Sequence, residues 1–164
     1  KLLPLAKKCN VDLIWVHPHA EIFESTLGFN LNISKIPTLV LETGICLRIN
    51  PISGDQVFDG MLSLLHGIGV LDITLPPAKQ AQQVKPEDVF VIQAHHSGLF
   101  IKQVELGKTL EEGEKLGKLI NPLDGNILEE FFSPCSGLLF TVREHPLAHK
   151  GSTLARIAKD AENK

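Results

Sequence analysis

No run of like charges and no basic stripe occurs in this chain. Lys and Arg number 16 against 19 Asp and Glu, a formal net charge of −3. The electrostatic footprint of a nucleic-acid binder is therefore missing, and no nucleic acid is expected as a partner. Long apolar runs are missing too. Stretches such as Leu39-Val40-Leu41 fall far short of the roughly 18–20 residues needed to cross a bilayer, so no membrane span is expected. Cysteine is sparse: Cys9, Cys46 and Cys135 are odd in number, widely spaced and form no C-x-x-C pair. That pattern argues against a disulfide frame or zinc knuckle and for free thiols in a reducing, cytoplasmic compartment. No charged-then-apolar leader precedes a small-residue cleavage site, and the first residue is Lys rather than Met. The expectation is a processed or excised piece of something longer.

What is present is ordinary globular composition, 43% hydrophobic and 21% charged over 164 residues, enough for one core or two small ones. The first 75 residues alternate strand-like and helix-like segments. Residues 11–16 read as a strand, 21–32 as a mixed segment and 37–42 as a second strand. In the segment 57–71, Val57, Phe58, Met61, Leu62, Leu64, Leu65, Ile68 and Leu71 recur at helical spacing. That pattern predicts a helix with Asp55 as its N-cap. The run Ile36-Pro37-Thr38-Leu39-Val40 leads into Leu41-Glu42-Thr43-Gly44, which places one carboxylate, Glu42, where a buried strand is expected to stop. Ligands of α/β folds sit outside the carboxyl ends of such strands. A solvated strand-end residue is the plainer reading of the same Glu.

Residues 76–86, rich in Pro, Gln and Lys, read as a linker or an exposed connecting strand. Beyond them the chain repeats itself. Ser97-Gly98-Leu99-Phe100 returns as Ser136-Gly137-Leu138-Leu139, an offset of 39; Val104 returns as Val142, Gly113 as Gly151 and Leu116 as Leu154, offsets of 38. Two copies of one hairpin unit cannot each bury an apolar face alone, so they are expected to pair about a pseudo-twofold axis into a small sandwich.

The pieces Leu106-Gly107-Lys108 with Glu112-Gly113-Glu114-Lys115-Leu116, and later His149-Lys150-Gly151-Ser152-Thr153-Leu154, resemble the barrel-sandwich hybrid of biotinyl and lipoyl carriers. Those carriers display a lysine on the hairpin between halves. Here the tip is Asn121-Pro122-Leu123-Asp124-Gly125-Asn126, and Lys118 lies earlier, inside a strand, so a carrier role is not expected. The chain as a whole resembles the C-terminal part of the succinylglutamate desuccinylase/aspartoacylase family of zinc carboxypeptidase-like hydrolases. The likeness rests on Ser25-Thr26-Leu27, on residues 36–44, on Leu65-His66-Gly67-Ile68-Gly69-Val70-Leu71, and on Gly98-Leu99-Phe100, Leu116-Gly117, Asn121-Pro122, Ser133-Pro134 and Gly137-Leu138 in order. It implies an α/β remnant of a zinc-carboxypeptidase-like domain over 1–75, a linker over 76–86, and an all-β barrel-sandwich hybrid domain over 87–164.

The resemblance also implies chemistry. A zinc ion held by two histidines and a glutamate binds water, and a separate glutamate, matched by Glu42, takes the proton; the implied substrate is a small N-acylated molecule. The family's His-x-x-Glu and strand-following Asp-Leu-His do not occur in residues 1–42, so the zinc ligands are expected outside this segment, which alone is expected to be inactive. His17, His19 and Glu21 share one side of an extended stretch and form a conceivable three-ligand set, with an ordinary loop as the alternative. In a strand, His95 and His96 would face opposite ways and so not chelate one ion. His145 and His149 flank Pro146, which forbids a helical pairing, and are read as structural. Arg48 is the guanidinium nearest Glu42 in sequence that could bind a substrate carboxylate. Homo-oligomerisation is left open. From another class comes the reading of a binding or assembly module with a lipoyl-like barrel lacking the carrier lysine, Glu42 being structural.

Overall fold

The structure, a computed structural model, describes residues 2–17, 25–45 and 48–160. It divides into two compact units, Lys1–Gln83 and Val84–Lys164. Strand outweighs helix over the described chain, and no helix among the described residues is long and apolar enough to cross a membrane.

The first unit contains α1 (Leu3–Ala6), β1 (Leu13–Trp15), α2 (Leu27–Ile33) and α3 (Pro51–Gly67). β1 occupies the centre of the strand expected over 11–16. It pairs with β2 (Gln82–Val84), and the Gln82 N–H donates to the Asp12 carbonyl at 3.0 Å. The Pro/Gln-rich stretch thus ends in a strand.

Two sequence expectations need correction here. The helix expected over 57–71 begins at Pro51 and ends at Gly67, and Asp55 lies inside it rather than at its cap. Asn50 is the cap: its Oδ1 accepts the Ser53 N–H at 3.2 Å, and Pro51 follows in the first turn, where a missing N–H costs nothing. Apolar periodicity could not reveal this start, because the first turn, Pro51-Ile52-Ser53-Gly54, lies outside the periodic stripe. α3 then lies directly against the turn after α1: a Cβ on Gly60 would stand 2.1 Å from the Cys9 carbonyl oxygen. The second correction concerns residues 37–42, which form no strand. A strand needs a neighbouring backbone, and what meets this segment is the end of a side chain, described below.

The second unit opens with a 3₁₀ turn (Pro86–Asp88) and continues as β3 (Val89–Gln93), β4 (Gly98–Lys102), β5 (Thr109–Leu110), β6 (Lys115–Ile120), β7 (Ile127–Phe132), β8 (Gly137–Val142), β9 (Leu147–Ala148) and β10 (Thr153–Lys159). Two four-stranded sheets result, in the orders β3-β10-β8-β5 and β7-β6-β4-β9. The sequence repeat is visible in these orders. Replacing β3 by β7, β10 by β6, β8 by β4 and β5 by β9 turns one sheet into the other. Each sheet takes its two inner strands from one copy of the repeat and its two edges from the other, so the copies interlock.

Even the turn bonds are duplicated. Gly151 N–H donates to Ala94 O and Ala94 N–H to Ser152 O; correspondingly Gly113 N–H donates to Ser133 O and Ser133 N–H to Glu114 O. Lys150 N–H donates to Ser97 Oγ as Glu112 N–H does to Ser136 Oγ. Gly113 and Gly151 both adopt left-handed backbone, φ +80° and +84°, which only glycine enters without strain. One core fills the space between the sheets. Phe100, Leu116, Leu119, Phe131 and Ala148 from one sheet meet Leu110, Leu139, Val142, Leu154, Ala155 and Ile157 from the other. Phe100 and Phe131 meet edge-on, ring centroids 5.9 Å apart.

Candidate functional site

The segment carrying Glu42 is held from its N-terminal side by Asn32, near the end of α2. Thr26 caps that helix, its Oγ1 accepting the Phe29 N–H at 3.4 Å. Asn32 Nδ2 donates to Thr38 O at 2.9 Å, while Thr38 N–H donates to Asn32 Oδ1 at 3.0 Å. One carboxamide therefore occupies both backbone polar groups of Thr38, as an adjacent strand would. Asn32 Nδ2 also donates to Gly28 O at 2.9 Å, which ties the clamp back to the helix. A turn at Lys35, φ +64°, connects the two.

Downstream of the clamp the side chains reach solvent. Val40 is 64% exposed, and Leu41 and Glu42 are exposed with it. Gly44 follows with φ +60°, the left-handed geometry that turns the chain after the carboxylate. Arg48 is exposed, its N–H donating to Ile45 O at 3.3 Å; Cys46 and Leu47, between them, lie outside the described residues. The desolvation expected for a proton-accepting carboxylate is not supplied to Glu42 by the described residues.

His17 is half-buried, with its ring centroid 4.2 Å from that of Trp15. Burial pushes its pKa below the ordinary imidazole range, which favours the neutral ring. His19 and Glu21, its expected partners in a ligand set, lie outside the described residues. Among the described residues no three of His, Cys, Asp and Glu converge as a metal site requires. Zinc asks for at least three protein ligands, so the described residues do not fit it.

His95 and His96 lie in the turn between β3 and β4, not in a strand, so the alternation expected to separate them does not apply. His95 is held by one residue twice: its Nδ1 lies 2.5 Å from Glu129 Oε1, and its backbone N–H donates to Glu129 Oε2 at 3.1 Å. His145 is exposed, and the His149 N–H donates to Ser152 Oγ at 3.0 Å. Two features escaped the sequence reading. The His95–Glu129 pair spans 34 residues, a separation no local pattern reports, and Asn32 looked like any polar residue on a short helix. A cavity of about 40 Å³ in the first unit, lined by Asn10, Asp59, Ser63 and residues 75–78, has room for water rather than for a substrate.

This fold is also that of solved structures of the family the sequence resembles. A succinylglutamate desuccinylase/aspartoacylase from Rhodobacter sphaeroides superimposes with a TM-score of 0.78 at 20% identity, over 98% of this chain and 49% of its own. The product-bound ectoine utilization protein EutE (DoeB) from Ruegeria pomeroyi gives 0.78 at 17% identity, over 96% of this chain and 48% of its own. An aspartoacylase family protein from Mesorhizobium loti gives 0.74 at 13%, over 98% and 48%. The chain thus has the fold of succinylglutamate desuccinylase/aspartoacylase structures and spans about half their length, the coverage a C-terminal part would give. No protein-family model and no curated protein matches the sequence.

Proposed function

We propose that this chain is the C-terminal part of a hydrolase that cleaves an amide, releasing an acyl group from an amine of a small N-acylated substrate. The observation that carries this reading is the superposition of nearly the whole chain on about half of EutE and of the Rhodobacter protein. In this reading the first unit is a remnant of a zinc-carboxypeptidase-like α/β domain and the second is a barrel-sandwich hybrid. Glu42 accepts a proton from the attacking water as the new C–O bond forms, and returns it to the nitrogen as the C–N bond breaks. Arg48 binds a substrate carboxylate. The zinc that the resemblance implies is held by residues outside this segment, and the segment alone is inactive.

The test is amide hydrolysis by the longer protein. Glu42→Gln is expected to lower kcat by about 10²–10⁴-fold, the usual worth of a general base, with fold and metal content unchanged. An unchanged rate removes Glu42 from the reaction. That result would favour the second reading, a binding or assembly module with Glu42 structural, which the exposure of Glu42 in this chain supports.

A further inference from the structure

The first unit has almost no interior of its own. Among its described residues Ala6, Cys9 and Ile14 are the only buried hydrophobics, while Leu27, Ile52, Phe58 and Met61 are each more than half exposed. The second unit is the opposite case, since every member of the continuous core, from Ala94 to Ile157, belongs to it. A unit of the first one's length that folded for itself would bury a core. What it displays instead is one side of a core.

Residues 37–42 are open along an edge as well. The N–H and C=O of Thr38 reach a single carboxamide, that of Asn32, so they point the same way, as both polar groups of one residue do in a strand. Successive residues of a strand turn those groups to opposite sides. Leu39 and Leu41 therefore direct theirs away from Asn32, and neither backbone makes a hydrogen bond among the described residues. α2 reaches one face of the segment, where a Cβ on Gly28 would stand 2.6 Å from Val40 Cγ2, yet Val40 and Leu41 both remain exposed. An apolar run whose next residue would be buried on either face, with an unpaired edge, is a strand that lacks its neighbour.

Resting on the reading of this chain as the C-terminal part of a longer protein, we infer that the edge formed by Leu39 and Leu41 is where that protein's other half adds a β-strand. The same half covers the open apolar residues of the first unit. Two observations select this occupant. The solved structures that superimpose on the chain carry a further stretch of about equal length, because the chain spans 49% of one and 48% of another. The second unit, with its core already closed, leaves the first unit as the place where that stretch is needed. The added strand is itself a short apolar run, the kind that pairs in a sheet covered on both faces. Its backbone beside Leu41 displaces water next to Glu42, the desolvation that this chain alone does not supply.

Amide hydrogen exchange, followed by NMR on this chain and on the longer protein, tests the inference. The Leu39 and Leu41 amides are expected to exchange at least about 100-fold more slowly in the longer protein, where they enter a ladder. Leu41→Pro removes a donor from that edge and is expected to lower the thermal midpoint of the longer protein by at least about 3 °C. In this chain alone, where the donor has no partner, the same change is expected to move the midpoint by less than about 1 °C. Equal exchange at both leucines in the two proteins overturns the inference, as does a Leu41→Pro effect of the same size in both. Protection of Leu39 and Leu41 in this chain alone that fades on dilution also overturns it, by making a second copy the occupant. Slow exchange in a longer protein that hydrolyses no amide keeps the strand and removes the hydrolase reading; hydrolysis with fast exchange at both leucines does the reverse.

Discussion

Trp15 and His17 report on each other. The indole is the chain's one tryptophan, its ring lies against the imidazole, and burial pushes the His17 pKa down. The unfolded chain therefore binds that proton more readily than the folded one. Stability contributed by the neutral ring is whole above the unfolded His pKa of about 6.5 and declines as pH falls below it. Urea midpoints followed by tryptophan emission are expected to drop between pH 7 and 5.5, and His17→Gln to flatten that drop. Asp12 titrates lower down. Burial by itself would raise its pKa, but hydrogen bonds from Gln56 and from Lys79 outweigh that and hold it below the usual Asp value. Its contribution is present above about pH 3.9 and disappears only as pH falls through still more acid values. Lys79→Met should cost less than about 1 kcal/mol at neutral pH, because the Lys79–Asp12 pair is solvent-exposed.

At the level of elements, the segment before Glu42 depends on a side chain where a strand partner was expected. Asn32→Ala removes both bonds to Thr38 and the one to Gly28. A loss of about 1–3 kcal/mol from the first unit is expected, at roughly 1 kcal/mol per net hydrogen bond. Hydrogen exchange at the Thr38 amide should accelerate, since its acceptor is gone. In the second unit the repeat predicts matched costs. Gly113 and Gly151 occupy corresponding turns with nearly equal φ, and neither has an atom within 4 Å of an added Cβ. Gly113→Ala and Gly151→Ala should each cost about 1–2 kcal/mol through backbone strain alone, and by similar amounts. Denaturant midpoints of the two variants check this.

For the second unit as a whole, interlocking has a consequence for folding. Inner strands from one copy sit between edge strands from the other, and a single core draws on both sheets. Neither copy alone can complete a sheet or bury Leu110, Leu139 and Ile157, all with no exposed area. Fragments 84–123 and 124–164 are therefore expected to lack strand signal by circular dichroism when separate and to regain it when mixed. A folded isolated fragment would contradict the interlocked arrangement.

Sequence by itself determined the repeat, its glycine turns and the strands that follow them, because period-2 burial and left-handed turns are local demands written in residue type. The family likeness was legible for the same reason, in Gly98-Leu99-Phe100 and Asn121-Pro122 as they stand in order. Helix α3 was legible in its apolar stripe but not in its start, which a cap and a proline set. Tertiary structure alone decided which copy supplies which strand, that Glu129 closes on His95, and that Asn32 rather than a strand meets Thr38. It also decided that Glu42 stands in solvent. Hydrophobic periodicity says that a segment can be buried, but burial and pairing are properties of what lies beside it, and no residue carries its neighbour's backbone in its own code.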